Sequence, residues 1–538
     1  MIATNPDLLV PDLGRLSLKN PNGFASLPLR VVLAILDQLS YQDLLRFKLT
    51  CRYLSRVIGG FPSLQYKIEL AAAGMTDVPQ NDLSPVKKLA ALRKYQRKWS
   101  QLNWDSFDHY YTNVYGADTW DFSYGLLSYD VEEDHDEISC ILPGSVVRGV
   151  PEERWTLYFA QKFAEYFVEP SQDLVLPVFN DEDDIESHVM LYSLYSGGQH
   201  SKAKHDRIIL PGPTGSVDEL RVHENKLGCL TQWEISDWTG CIFTLWDWQT
   251  GEAILSYDSV IHAEAYPEAN DIIRRDFTNF TFLDATHVAL SACLTNRDQV
   301  LFQGLIQIID LTKGPDAFSS SVNLYLPEIA DNACIAMLGL TRNTTTPGMS
   351  ERKHYPAFRT ADDQAVVSVM LELKHQTCEN HQMVPFFFNT GKLLAIYEAA
   401  TQDTNGSSPV NLSWDEWGPD SARVLCGLPH FDHKMTVYGS RFVWCDDGFL
   451  TVADFNTLGA LSNEFFPDGK VSDVTGAVVL EETTFKHKLL KKPVVTRMPY
   501  RYVCSGMKVP KDTSVVCLGE DTILIQDADK TVHALLTM

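Results

Sequence analysis

Two textures of apolar spacing divide this chain. Across residues 27–58 (LPLRVVLAILDQLSYQDLLRFKLTCRYLSRVI) apolar side chains recur at helical intervals, and Val32, Ile35, Leu36 and Leu39 fall at i, i+3, i+4 and i+7 to make one stripe. Leu27-Pro28 marks the start of that helix, because proline in the first turn gives up no hydrogen bond. Ser40, three residues before Asp43, is close to a capping box and opens a further helical run. Leu44, Phe47, Cys51, Leu54 and Ile58 continue along one face of it, until Gly59-Gly60 ends the pattern. A third helix is expected over 63–73, stopped by Gly74. A fourth is opened by Ser84-Pro85 and carries Val86, Leu89, Leu92, Trp99 and Leu102.

From about residue 110 the period changes. Short β-rich runs such as LVLPVF, GCIFTLWDW, QVLFQGLIQIIDL, AVVSVMLEL and SVVCLGEDTILIQDA alternate with turns, which predicts an all-β body of several sheets. Within it a polar turn recurs after apolar strands, at Trp246–Gly251, Asp310–Gly314, Asn389–Lys392, Asp454–Thr457 and Asp527–Thr531. Its threonines, Thr250, Thr312, Thr390, Thr457 and Thr531, stand 62, 78, 67 and 74 residues apart. A strand, an Asp/Asn-led turn and a second strand make the outer hairpin of a four-stranded propeller blade, and this spacing accommodates six or seven blades with loop insertions.

Charge places the break between the two textures. Residues 1–104 hold 14 Lys/Arg against 7 Asp/Glu, about +7; the remainder holds 31 against 63, about −32, which together give the net −25 of the whole chain. So acidic a body is repelled by phosphate backbones and anionic lipid, so neither nucleic acid nor a membrane is expected as a partner. The start of the sequence lacks the basic and apolar regions of a signal peptide, and no apolar run is long enough to span a bilayer. A cytoplasmic or nuclear location is therefore expected. The fourth helix carries Lys87, Lys88, Arg93, Lys94, Arg97 and Lys98 without an acidic residue, which reads as a solvated basic face beside the acidic body.

Candidate chemistry is sparse. The 11 cysteines form no CxxC pair, so neither a disulfide scaffold nor a zinc site is indicated. No nucleophile elbow, P-loop, dinucleotide-binding glycine motif or HExxH sequence is present, and His223-Glu224 lacks the second histidine of a metal-binding helix face. His200, His205 and Asp206 have a spacing that could suit metal ligands, but Gly197-Gly198 place them in a solvated loop. Trp233, Trp238, Trp246 and Trp248 are expected to be core. No catalytic, metal or cofactor site is assigned, and the chain is read as a non-enzyme. Polar insertions at 132–137, 181–184, 341–355 and 401–410 are read as solvated loops; if the acidic ones bind, a basic peptide is their natural partner.

The order of residues in the helical stretch adds what periodicity cannot. Leu27-Pro28, Ile35-Leu36, Leu39, Asp43-Leu44 and Cys51-Arg52 stand in the places of the F-box pattern, and the stretch resembles an F-box. It departs at Arg30, where an acidic residue is common, and at Leu54, where Trp is common. With the body behind it, the chain is similar to fungal F-box proteins that carry a divergent propeller, a likeness also carried by LQYKIELAAAGM, WDWQTG and WDEWGP. The resemblance implies docking onto the Skp-type adaptor of a cullin-RING (SCF-type) ubiquitin ligase through Leu27, Pro28, Ile35, Leu36, Leu39, Leu44 and Cys51. The propeller would then recruit a protein substrate.

The expected organisation is α+β and multidomain: a flexible terminus at 1–22, an all-α F-box-like module at 23–60, a helical linker at 61–104 and a β-propeller substrate-recognition domain at 105–538. An F-box-like propeller scaffold acting outside a ligase, and a propeller hydrolase with a helical appendage, stay open as alternatives.

Overall fold

The computed structural model describes residues 27–104, 106–111, 120–130, 136–180, 186–212, 217–235, 238–259, 272–296, 300–343, 355–402, 408–428, 437–456, 458–459, 475–509, 513–527 and 532–537. The expected N-terminal tail, the acidic run 181–184 and most of the other insertions lie outside them.

Five helices come first: α1 (Leu29–Gln38), α2 (Tyr41–Thr50), α3 (Arg52–Gly60), α4 (Pro62–Ala72) and α5 (Pro85–Gln101). The run expected to continue through Cys51 is broken there. Cys51 is extended (φ −157°, ψ 159°) and its carbonyl accepts the Ser55 N–H at 3.0 Å, so it caps α3 and lets α2 and α3 fold onto one small core. Ser40 caps α2 as expected, its Oγ accepting from the Asp43 N–H at 3.1 Å and donating to the Asp43 carboxylate at 2.8 Å. These bonds hold the Asp43 carboxyl below its usual pKa.

The body is a seven-bladed propeller. Blade 1 is built from Trp120–Ser123, Leu126–Asp130, Glu137–Leu142 and Glu153–Tyr158; blade 2 from Glu165–Glu169, Leu174–Asn180, Ser187–Met190 and Arg207–Ile209; blade 3 from Val217–His223, Lys226–Ile235, Trp238–Asp247 and Glu252–Asp258. Blade 4 (Ile272–Phe282, His287–Asn296, Leu301–Asp310, Val322–Tyr325) gains a fifth, parallel strand from Val410–Leu412. Blade 5 comprises Ala333–Thr341, Val366–His375, Cys378–Asn389 and Ala422–Val424. Blade 6 comprises Val437–Tyr438, Arg441–Asp446, Phe449–Asp454 and Tyr500–Lys508, with Thr475–Val479 on its edge. Blade 7 takes Thr513–Leu518, Thr522–Asp527 and Val532–Thr537 from the end of the chain and its outermost strand, Ser106–Tyr111, from the beginning. That antiparallel pairing, from Ser106↔Thr537 to Tyr111↔Val532, closes the ring by joining the two ends of the propeller chain in one sheet.

Blade stacking explains the continuous apolar runs in the sequence. A strand with sheets on both faces is buried on both faces, as in His287–Asn296, where every position but the first and last is buried. The apolar clusters of the body accordingly lie between successive blades: Leu174, Leu227 and Trp248 between blades 2 and 3, Phe243, Phe277 and Leu290 between 3 and 4, Phe387, Phe442 and Phe455 between 5 and 6.

The recurring polar turn has one physical basis. Asp247, Asp310, Asn389 and Asp454 each end the third strand of a blade, and the side-chain oxygen of each accepts a backbone N–H two or three residues on: Gln249 at 2.9 Å, Thr312 at 2.8 Å, Lys392 at 3.1 Å and Asn456 at 3.0 Å. Only the first makes a tight hairpin, in which Gly251 takes φ +78°. After Asn389 the chain instead forms α6 (Thr390–Thr401) and later α7 (Trp414–Ser421) before the blade is completed. The fifth repeat unit is out of phase, because Asp527 ends a second strand rather than a third.

Candidate functional site

The helical module has one side that packs and one that does not. Val32 and Leu36 of α1, Leu44 of α2, Leu54, Val57 and Ile58 of α3 and Leu64 of α4 form its core, with Leu29, Leu33, Leu39 and Phe47 at its margin. A second apolar row runs up the outside of α1 at four-residue spacing: Leu27, Val31 and Ile35, which are 38%, 43% and 38% exposed. Leu45 and Leu49 repeat that spacing on α2, and Leu49 is 88% exposed. Helix α1 is therefore apolar on two faces, only one of which the described residues cover.

The residues that the resemblance assigned to the adaptor separate accordingly. Leu27, Pro28, Ile35 and Cys51 lie on the surface, whereas Leu36 and Leu44 are fully buried and Leu39 is half-buried against them. Leu36 and Leu44 thus hold the module together from inside. Val31, Leu45 and Leu49 were missed by the sequence pattern, although their four-residue spacing on an apolar helix was the available signal.

The module is fixed to the propeller by its linker. Lys67 Nζ donates to the Asp37 carbonyl at 2.9 Å, tying α4 to α1, and Arg93 bonds Glu69 at 2.8 and 2.5 Å, tying α5 to α4. Between the two helices Met75–Asp77 forms a short strand that pairs antiparallel with Phe358–Thr360 of the propeller. Helix α5 then lays Leu89, Leu92, Tyr95 and Trp99 into the apolar core between blades 6 and 7. Tyr95 is fully buried; its hydroxyl accepts from Arg441 Nη1 at 2.6 Å and reaches the Glu520 carbonyl at 2.8 Å and carboxylate at 3.0 Å. The Arg441 guanidinium also stacks 4.4 Å over the Trp99 ring. Burial pushes the Tyr95 hydroxyl pKa well up, so it stays protonated and available as a donor.

This seat corrects the picture of a solvated basic face on α5. Lys88 and Lys98 are buried, and Lys88 Nζ donates to Asp77 at 2.8 Å and to the Val78 carbonyl at 3.1 Å. Lys87, Lys94 and Arg97 stay exposed. The contacts with the propeller fall on connections between first and second strands, as at Thr360 and Glu520, or between third and fourth, as at Asn456, whose Nδ2 donates to the Ala72 carbonyl at 2.8 Å. All of these connections lie on one face of the ring. None of the described helices lies on the opposite face.

The sequence's metal and aromatic candidates resolve into packing. His200 is buried rather than in a solvated loop: its Nε2 meets the Gln172 carbonyl at 3.1 Å and its ring stands edge-on to Trp248 at 4.9 Å, while His205 is exposed. Trp246 and Trp248 are core, and the Trp248 indole donates to the Glu224 carbonyl at 2.8 Å. The side chains of Trp233 and Trp238 lie outside the described residues. Among the described residues no helix is long and apolar enough to cross a membrane.

Comparison with known proteins bears on the module. Residues 24–66 match the F-box-like family model. No curated protein matches the chain. Among solved structures, hydrazine synthase of Kuenenia stuttgartiensis is similar at 10% identity over 79% of this chain and 99% of its own, with a TM-score of 0.35. Hsv2 of Kluyveromyces lactis is similar at 10% identity over 36% of this chain and 56% of its own, TM-score 0.23, so the chain spans little more than half of that relative's length. Oligopeptidase B of Leishmania major is similar at 11% identity over 92% of this chain and 55% of its own, TM-score 0.27. Likenesses this distant carry no functional argument.

Proposed function

We propose that this chain, an F-box-like module followed by a seven-bladed propeller, is the substrate-recognition subunit of an SCF-type cullin-RING ubiquitin ligase. The exposed row of α1 and α2 docks a Skp-type adaptor, and the face of the propeller away from the helical module captures a protein substrate. The observation that carries the reading is the second apolar face of the module, Leu27, Val31, Ile35, Leu45 and Leu49, which nothing in the described chain covers. Helix packing against an apolar partner surface accounts for such a face and needs no catalytic group. On this reading the protein is a non-catalytic adaptor, and the basic module and acidic body divide the labour between ligase and substrate.

Co-expression with a Skp-type adaptor tests it. The intact chain co-purifies with the adaptor, a chain lacking residues 27–58 does not, and Ile35→Asp or Leu49→Asp abolishes co-purification while leaving the denaturation midpoint unchanged. Failure of the intact chain to co-purify would favour a scaffold acting outside a ligase. Adaptor binding unaffected by both aspartates would place the dock elsewhere.

A further inference from the structure

The apolar rows on α1 and α2 are edged with positive charge. Leu27, Arg30 and Val31 stand at i, i+3 and i+4, and Leu45, Lys48 and Leu49 repeat that order, which sets a cation at the edge of each row. Arg52 follows Cys51 at the start of α3. All three cations are exposed. Residues 27–60 hold five Lys/Arg against two Asp/Glu. Of these, Arg46 is paired, with Asp43 at 2.9 Å. Arg30, Lys48 and Arg52 meet no carboxylate among the described residues.

Two of these cations stand where their own helices disfavour them. Arg30 is the second residue of α1 and Arg52 the first of α3, and neither helix has an acidic residue in its first turn. The N–H groups at a helix start carry partial positive charge, so a carboxylate stabilises the first turn and a guanidinium weakens it. Arg52 also stands four residues before Arg56 with no acid on α3, a like-charge spacing that weakens the helix further. Packing does not account for the two arginines, since both are exposed; a carboxylate supplied from outside does. At physiological salt, charges beyond about 8 Å are screened, so the cations at the rows, rather than the chain's net −25, set the field that an approaching partner meets. The acidic body of a second copy would also meet this rim, but a module-to-body contact is head-to-tail and grows into open filaments unless its rotation closes.

We propose that Arg30, Lys48 and Arg52 form the charged rim of the dock and fit a Skp-type adaptor whose apolar groove is bordered by carboxylates. This deepens the ligase reading and rests on it. Rim charges stay partly in water, so they act on the rate of association more than on the lifetime of the complex. The test uses the full chain and a Skp-type adaptor in stopped-flow mixing at several salt concentrations. The association rate constant falls at least about tenfold between about 0.05 and 0.5 M NaCl, while the dissociation rate constant changes less than about twofold. Arg30→Glu combined with Arg52→Glu slows association at least about tenfold at low salt and holds or raises the denaturation midpoint, because each glutamate suits its first turn. Arg30→Lys combined with Arg52→Lys keeps the association rate within about twofold. A salt-independent rate, or a glutamate pair that leaves the rate unchanged, would overturn the proposal. A glutamate pair that slows association only by lowering the midpoint would assign the arginines to structure and overturn it too. Tighter binding of a short oligonucleotide than of the adaptor at about 0.15 M salt would assign the rim to nucleic acid, and salt-sensitive self-association of the free chain would assign it to a second copy; either overturns it. The two readings fail distinguishably: an adaptor that binds at a salt-independent rate removes only the rim, whereas no adaptor binding at any salt removes the ligase reading and the rim with it.

Discussion

Replacing Tyr95 by Phe removes one oxygen from the seat of the helical module and nothing else. The ring keeps its place 5.4 Å from Phe358 and 6.4 Å from Trp99, so packing is retained. What is lost is one charge-assisted bond from Arg441 and one donation to Glu520. A bond to a charged group contributes about 1.5–3 kcal/mol and a neutral one about 1 kcal/mol, and at a fully buried position no water replaces either, so the variant is expected to lose about 3 kcal/mol. Arg441 keeps its stack on Trp99 and the Asp454 carboxylate at 3.7 Å, which holds the loss below that of a stranded charge. Urea denaturation followed by tryptophan fluorescence reads the change, because Trp99 reports on the seat. Limited proteolysis between α5 and blade 1 reads whether the module loosens first. A loss below about 0.5 kcal/mol with unchanged proteolysis would refute the view that this network fixes the module to the ring.

Three further outcomes are expected. Asp454→Asn leaves Arg501, bonded at 2.6 Å, and Arg441 without their shared buried carboxylate, and destabilises the chain by about 3–5 kcal/mol in chemical denaturation; a loss under 1 kcal/mol would contradict it. His223 is 97% buried and burial lowers its pKa to about 4, so it stays neutral in the fold while the unfolded chain takes up a proton below about pH 6.5. Stability is therefore lost as pH falls from about 6.5 to about 4, by about 3 kcal/mol in all, and His223→Gln removes that share of the slope. An identical difference between the two chains at pH 7 and pH 4.5 would exclude it. Leu36→Asp, in contrast to Ile35→Asp, unfolds the module itself, and its loss of helical circular dichroism marks it as a core position; a folded Leu36→Asp module would contradict the packing described.

Local chemistry was legible in the sequence, and long-range chemistry was not. The Asp/Asn-led turns could be seen because the oxygen that makes each turn sits two or three residues from the N–H that it accepts, and they led to a propeller of six or seven blades. The same chemistry ends other strands too, which is why Asp527 was assigned to the wrong hairpin. Ser40 and Asp43 belong to the same local class. Lys88 and Lys98, by contrast, read as solvated because helical periodicity does not show what packs on a polar face: Lys88 is buried against Asp77 and the Val78 carbonyl, beside the short strand that pairs with the propeller, and Lys98 is buried where α5 seats on the ring. His200 reads as part of a solvated loop because it follows Gly197-Gly198, and the ring that stands against it, Trp248, is 48 residues away. In α1 the apolar residues were all visible, but a helix apolar on two sides offers no periodicity to say which side is sheltered.

The pairing of Ser106–Tyr111 with Val532–Thr537 also sets a clock. The ribosome delivers the first strand about 420 residues before its partner, which at roughly 5–20 residues per second is a wait of about 20 to 80 seconds. Helix α5 waits as long, since blades 6 and 7 that receive Leu92, Tyr95 and Trp99 are made last. For most of its synthesis the nascent chain therefore carries an unpaired strand and an unsheltered apolar helix, the surfaces that chaperones recognise. A message truncated before the last strand would yield a docking module joined to a ring that never shuts.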